Sequence, residues 1–171
     1  MYKEIGEFIK NVGFDGRLYN DGEFWTAALI GVGIGFWIHC EPTWITAIRN
    51  HFADLLSVTS IVFGFVLTTL FFYIQAAGTW SEDDNVQEVA SSLIDHHVWT
   101  VVSLLFLIGY VVFLWIFAKP TSWYAWPLTI GYSFLVFLIC YCGFQILNQV
   151  LTIRWAFRRR HRLLPPSKGE K

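Results

Sequence analysis

The stretch at residues 55–77, LLSVTSIVFGFVLTTLFFYIQAA, decides how the rest of this chain is read. It carries no charge over 23 residues. Backbone amides have no water to bond inside a bilayer, so an apolar run of about 17–25 residues reads as a helix that satisfies itself while it crosses. Two more runs fit the same description. Residues 98–118, VWTVVSLLFLIGYVVFLWIFA, are uncharged, and residues 123–153 hold an uncharged stretch long enough to span. A fourth, residues 24–39, is shorter and rich in glycine, FWTAALIGVGIGFWIH. The whole chain is 55% hydrophobic and only 15% charged, against ~25% charged in soluble domains, which makes lipid the solvent for most of it. The expected fold is therefore all-α, a single integral membrane four-helix bundle over residues 1–171.

Charge placement sets the number of spans and their direction. Four spans put the N-terminal segment, the 78–97 connection and the C-terminal tail on one side, and with them ten of the twelve Lys and Arg residues. Only Arg49 and Lys119 fall opposite. Three spans would split the basic residues seven against five, so the positive-inside rule selects four, with both termini cytoplasmic. The nine tryptophans mostly fall near span ends, where indoles prefer the interface. The first residues lack the basic-then-apolar order of a secretory signal, so no cleavage is expected.

Between the spans lie helical patterns that need not cross. Ile5, Phe8, Ile9 and Val12 predict an interfacial helix over residues 2–13. Pro42 followed by Ile45, Ile48, Phe52 and Leu55 predicts an outer extension of the second span. Ser81 with Asp84 predicts a capped helix start whose apolar stripe, Val86, Val89, Ala90, Leu93 and Ile94, leads into the third span and projects it beyond the membrane by roughly 15–25 Å at 1.5 Å per residue.

Four groups of residues invite a function. Small residues recur every four positions at Ala27, Gly31 and Gly35 and at Ser60, Gly64 and Thr68, a spacing that lets helix backbones approach within one bundle or between subunits. Gln145, Asn148, Gln149 and Thr152 form one polar stripe at the cytoplasmic end of the fourth span, suited to interhelical hydrogen bonds or to a water-filled vestibule. Glu82, Asp83, Asp84 and Glu88 make an acidic helix start favoured by the helix dipole, and also a docking surface for a soluble protein. Arg154, Arg158, Arg159, Arg160 and Arg162 lie in a basic tail, residues 154–171, that meets anionic headgroups and fixes orientation.

Enzyme chemistry has little to stand on. No nucleophile, base and oxyanion donors converge, and no cofactor is implied. His39, Cys40, Glu41, His51 and Asp54 gather around one loop and Asp95, His96 and His97 around another, but topology puts the groups on opposite sides and neither has metal-ligand spacing. The Arg154 to His161 spacing compares with ribonuclease motifs only as a run of arginines does by chance, and nucleic acid is not an expected partner. Cys140 and Cys142 sit two apart on different sides of one helix, which argues against a disulfide framework.

The four-span layout and the segment at residues 57–72, SVTSIVFGFVLTTLFF, resemble small multi-pass membrane proteins of bacterial antiphage systems, the Kiwa membrane subunits among them. The resemblance covers the architecture and one segment of a single span, with no site residues to carry over. It implies a homo-oligomer in the bacterial inner membrane that senses disturbance of that membrane and recruits a soluble cytoplasmic partner. The residues themselves leave two function classes ahead of an enzyme: a non-enzymatic scaffold or sensor, and a channel or pore-forming effector. Topology is the first thing to measure. Reporter fusions should place both termini in the cytoplasm, and an external N-terminus with a cytoplasmic C-terminus would refute the four-span arrangement.

Overall fold

A computed structural model describes the backbone of residues 22–41, 43–79, 84–118 and 125–163, and within them the side chains of residues 22–41, 43–75, 94–118 and 126–151. Five helices follow one another: α1 (Gly22–Cys40), α2 (Thr43–Asn50), α3 (Phe52–Thr79), α4 (Asp84–Phe117) and α5 (Ala125–Leu163). No strand occurs among the described residues. Four of the helices are long and apolar enough to cross a membrane, over Gly22–Cys40, Phe52–Gln75, Ile94–Phe117 and Trp126–Leu151. The short glycine-rich run is thus a full helix of 19 residues, which rises roughly 28 Å, close to the ~30 Å of a hydrocarbon core.

The bundle is built around α5. Its main neighbours are α1 on one side and α4 on the other, while α3 packs chiefly on α4. α1 and α5 are antiparallel, as the ring contacts His39–Trp126 at one end of α1 and Phe24–Tyr141 at the other show, and so are α4 and α5, joined by Trp99 to Tyr141 and by Tyr110 to the Gly131 carbonyl. The central packing comes from Leu104, Leu107, Val111 and Leu114 of α4 against Tyr132, Leu135 and Leu138 of α5, with Phe52 and Val66 of α3. Large side chains such as Leu29, Phe65, Phe72, Leu105 and Ile130 point outward, as lipid-facing positions should. Trp25, Trp37, Trp44, Trp115 and Trp126 are exposed near helix ends, consistent with interfacial belts.

The first small-residue ladder joins α1 to α5. Ala27, Gly31 and Gly35 are all buried. A Cβ added at Gly31 would stand 2.9 Å from the Phe137 Cβ and 3.1 Å from the Ser133 carbonyl, and one at Gly35 would overlap the Ser133 hydroxyl and lie 2.8 Å from its Cβ. In lipid, where apolar side chains gain little by leaving the solvent, such backbone approach is the means of gaining dispersion contact. The second ladder has the opposite setting. Ser60, Gly64 and Thr68 are exposed on α3, and a Cβ at Gly64 would touch nothing. The hydroxyls on that helix are nonetheless satisfied by carbonyls one turn back, Thr59 to Leu55 at 2.7 Å and Thr68 to Gly64 at 2.8 Å, which keeps them tolerable in hydrocarbon.

Two boundaries differ from the sequence reading. The outer extension from Pro42 is a separate helix, α2, because the chain turns at His51, where the His51 amide bonds the Ile48 carbonyl at 3.1 Å and Asp54 meets the His51 ring at 3.0 Å. α1 starts at Gly22 and ends at Cys40 rather than spanning 24–39. The fourth apolar span ends at Leu151, close to the expected boundary at 153, and α5 runs on past it to Leu163, carrying all five tail arginines on helical backbone. Nothing between Phe144 and Leu163 is glycine or proline, and Pro165 is the first residue to oppose continuation. The predicted helix over 2–13, Ser81, and residues 164–171 lie outside the described residues.

Gly35→Ile and Gly31→Ile should each destabilise the fold by at least about 1–3 kcal/mol, as overpacking does, whereas Gly33→Ile, where an added Cβ meets nothing, should be nearly neutral. Thermal unfolding in one mild detergent checks this. Gly35→Ala combined with Ser133→Gly should recover part of the Gly35→Ala loss.

Candidate functional site

The four long helices bring polar and aromatic groups together at the end of the bundle where α1 begins and α3 ends. α4 contributes His97, Trp99 and Thr100; α5 contributes Tyr141, Gln145 and Gln149; α1 contributes Glu23 and Phe24; α3 contributes Tyr73. His97, Thr100, Tyr141, Gln145 and Gln149 are all buried. Thr100 is the centre of the α4–α5 contact. Its hydroxyl donates to the His96 carbonyl at 3.1 Å and accepts from the Gln149 side-chain amide. From the neighbouring position on α4, the Trp99 indole N–H donates to the hydroxyl of Tyr141, two turns from Gln149 on α5, at 2.9 Å.

α1 and α3 join through the flanks. Phe24 sets its edge on Phe137 at 5.3 Å and on Tyr141 at 6.0 Å, and the Gln145 amide donates to the Glu23 carboxylate over a long 3.5 Å. The Gln145 carbonyl oxygen is buried with no hydrogen-bond partner among the described residues. Tyr73 places its ring 4.9 Å from that of His97. The fourth-span stripe thus divides: Gln145 and Gln149 face inward, Asn148 is half-buried, and Thr152 lies on α5 where side chains are not described.

These contacts are the interhelical kind. A Gln side chain left unbonded in hydrocarbon costs several kcal/mol, whereas a hydrogen bond between membrane helices contributes about 0.6 kcal/mol on average. The chief work of the pairs is to fix which helix faces which, since a rotated helix would strand its amide in an apolar setting. Amides, hydroxyls and rings of this kind bind and position.

The charged groups sit beyond this junction. α4 starts at Asp84, ten residues before its apolar span begins at Ile94, and α5 runs twelve residues past Leu151. Because the two helices are antiparallel, both overhangs leave the bundle at the same end. Asp84 and Glu88 lie in the first turns of α4, and Arg154, Arg158, Arg159, Arg160 and Arg162 in the last turns of α5; Glu82 and Asp83 lie outside the described residues. Acid at a helix start and base at a helix end each match the local dipole.

The histidine groups do not converge. His39 stacks on Trp126 at 4.3 Å, His51 pairs with Asp54, and the Glu41 carboxylate accepts from the Trp44 indole at 3.0 Å. His96 and His97 stand at the other end of the bundle. No group of three or more His, Cys, Asp or Glu forms a metal-ligand cluster among the described residues. Cys40, Cys140 and Cys142 are free thiols.

Sequence reasoning passed over Thr100, Trp99, Tyr141, Glu23 and Arg49 as site residues. Arg49 donates to the Ala118 carbonyl at 3.1 Å, at the C-terminal end of α4. A carboxylate beside the first aromatic of a span, Glu23 before Phe24, was the one available signal. The others are single polar residues in apolar runs, and their pairing is a property of two helices at once. Compared with protein-family models, curated proteins and solved structures, the chain matches none.

Thr100→Val should cost about 1–2 kcal/mol by leaving the Gln149 amide without its acceptor, and the Thr100→Val/Gln149→Leu pair should couple by about 0.6 kcal/mol and at most ~1.7 kcal/mol. Reversible unfolding in bicelles measures the cycle.

Proposed function

We propose that this protein is a non-enzymatic, oligomeric membrane scaffold or sensor that recruits a soluble cytoplasmic partner, with both termini in the cytoplasm. The observation that carries the reading is the common overhang of α4 and α5. Two helices continue past the membrane span at one end, an acidic start beside a basic finish, where a transport role would need polar groups along the span instead. The charge bias, ten of twelve basic residues on one side in the four-span arrangement, supports a cytoplasmic location for that end. The likeness of residues 57–72 to antiphage membrane subunits supports placing it in a bacterial inner membrane and a defence system.

Self-association is assigned to the outward face of α3. Ser60, Gly64 and Thr68 offer close backbone approach and are left uncovered by the fold, while Gly31 and Gly35 are already used between α1 and α5. The amides at the inner end of α5 bond across helices, which favours glue over pore lining.

Purification from native cells in mild detergent should recover an oligomer with a bound soluble protein. Replacing Glu82, Asp83, Asp84 and Glu88 with their amides should weaken capture on the order of tenfold, equivalent to about 1.4 kcal/mol, without changing the oligomer mass. Gly64→Ile should lower that mass in native mass spectrometry. Planar bilayers containing the protein should stay electrically silent; unitary currents altered by Asn148→Leu or Gln149→Leu would replace this reading with a channel.

A further inference from the structure

The last two turns of α1 carry a feature that its packing on α5 leaves unused. Gly33, Phe36, Trp37, Cys40 and Glu41 line an open hollow of about 370 Å³, within the range of small ligand sites. They recur at the spacing of one helical face, and it is not the buried stripe of Ala27, Gly31, Gly35 and Ile38. Gly33 makes the hollow, since a Cβ there would meet nothing within 4 Å. Phe36 and Trp37 are exposed and give it apolar walls.

The rim of the hollow is charged. Glu41 is the first residue beyond α1, and its amide still bonds the Trp37 carbonyl at 3.0 Å. One carboxylate oxygen accepts from the Trp44 indole at 3.0 Å; the other has no partner, and no cation pairs with Glu41, among the described residues. An acid at a helix C-terminus also meets the negative end of the dipole, which raises its demand for a counter-charge. The described basic groups at this end are engaged elsewhere, His39 on Trp126, Arg49 on the Ala118 carbonyl and His51 on Asp54. The rim therefore suits a cation with N–H donors, which the aromatic faces also favour, while the walls suit hydrocarbon. Depth joins the two demands in one molecule. Glu41 stands just past the span Gly22–Cys40, where exposed Trp37 and Trp44 mark the headgroup region, and Gly33 lies roughly 12 Å deeper at 1.5 Å per residue.

We propose that this hollow seats a membrane lipid whose headgroup carries a primary ammonium, of the phosphatidylethanolamine class. The ammonium donates to the open Glu41 oxygen beside the Trp37 ring, and one acyl chain runs down past Phe36 into the space left at Gly33. A quaternary ammonium has no N–H to give, and a net anionic headgroup is repelled by the carboxylate, so Glu41 selects among lipids by headgroup. The site stands apart from the outward face of α3 and from the overhangs of α4 and α5, and does not rest on the function proposed above.

The test uses the full chain in dodecyl maltoside and counts, by native mass spectrometry, the lipid retained from equimolar phosphatidylethanolamine and phosphatidylcholine with the same acyl chains. Both lipids are zwitterionic, so the arginines of α5 give neither an advantage of net charge. Wild type should prefer phosphatidylethanolamine by about tenfold, the worth of one hydrogen bond to a charged group. Glu41→Gln keeps an oxygen for the Trp44 indole and should abolish the preference. Gly33→Ile should fill the hollow and lower phosphatidylethanolamine retention severalfold, and melting in lipid-free detergent checks that its fold persists. Equal retention of the two lipids by wild type, or a preference that Glu41→Gln leaves intact, overturns the proposal. Retention unchanged by Gly33→Ile overturns the seat of the acyl chain in the hollow.

Discussion

Helices already in lipid gain nothing by hiding apolar side chains from water, so whatever holds them together must come from contact and from polar pairing. The approach of α1 to α5 at Gly31 and Gly35 is where this constraint bears hardest. α1 is the shortest and least hydrophobic span, and its buried positions form one narrow stripe, Ala27, Gly31, Gly35 and Ile38. Fill that stripe with side chains and α1 stands off from α5, taking with it Phe24 and Glu23 at one end and His39 at the other. The polar junction and the aromatic contacts around Tyr141 therefore exist in their present form because two glycines allow two backbones to meet.

The two ends of the bundle are then finished differently. Where α1 begins, the helices are tied side chain to side chain, through Thr100 with Gln149, Trp99 with Tyr141 and Glu23 with Gln145. Where α1 ends, the short helix α2 is anchored by buried Ile45 and by Arg49, which donates to the carbonyl of Ala118 just past the end of α4. The first end is closed by polar groups that bond across helices, the Glu23 carboxylate among them, with one Gln145 oxygen left without a partner among the described residues. The second holds a cation, Arg49, which bonds the carbonyl just past the end of α4.

How far the sequence reveals this follows from which properties are local. A span is a local property, so an uncharged run such as 98–118 discloses its helix directly, and the charge bias added the short span that length alone left in doubt. Partner choice is not local. Ala27/Gly31/Gly35 and Ser60/Gly64/Thr68 carry the same signature, yet one is packed under Phe137 and Ser133 and the other faces outward; nothing within either helix distinguishes them. Thr100 looks like one more hydroxyl in an apolar run until α5 brings Gln149 opposite it. Arg49 served in the sequence only as a charge counted on the minority side, because its carbonyl partner is 69 residues away. The continuation of α5 through the arginines was legible in principle, since no glycine or proline interrupts it; the charge change at residue 154 marks the end of the apolar span, not of the helix.

The central place of α5 has a consequence for how the protein is made. α1 and α3 are synthesised well before α5, and among the described helices α1 has its main partner in α5. Until then its glycine face and Glu23 must wait in lipid or against the insertion machinery, and α4 must hold Thr100 without Gln149. Chain order thus makes this a late-closing assembly, in which α5, made after α1, α3 and α4, converts separately inserted spans into one body. A quality-control protease that recognises loosely packed membrane helices would meet every nascent chain in that interval.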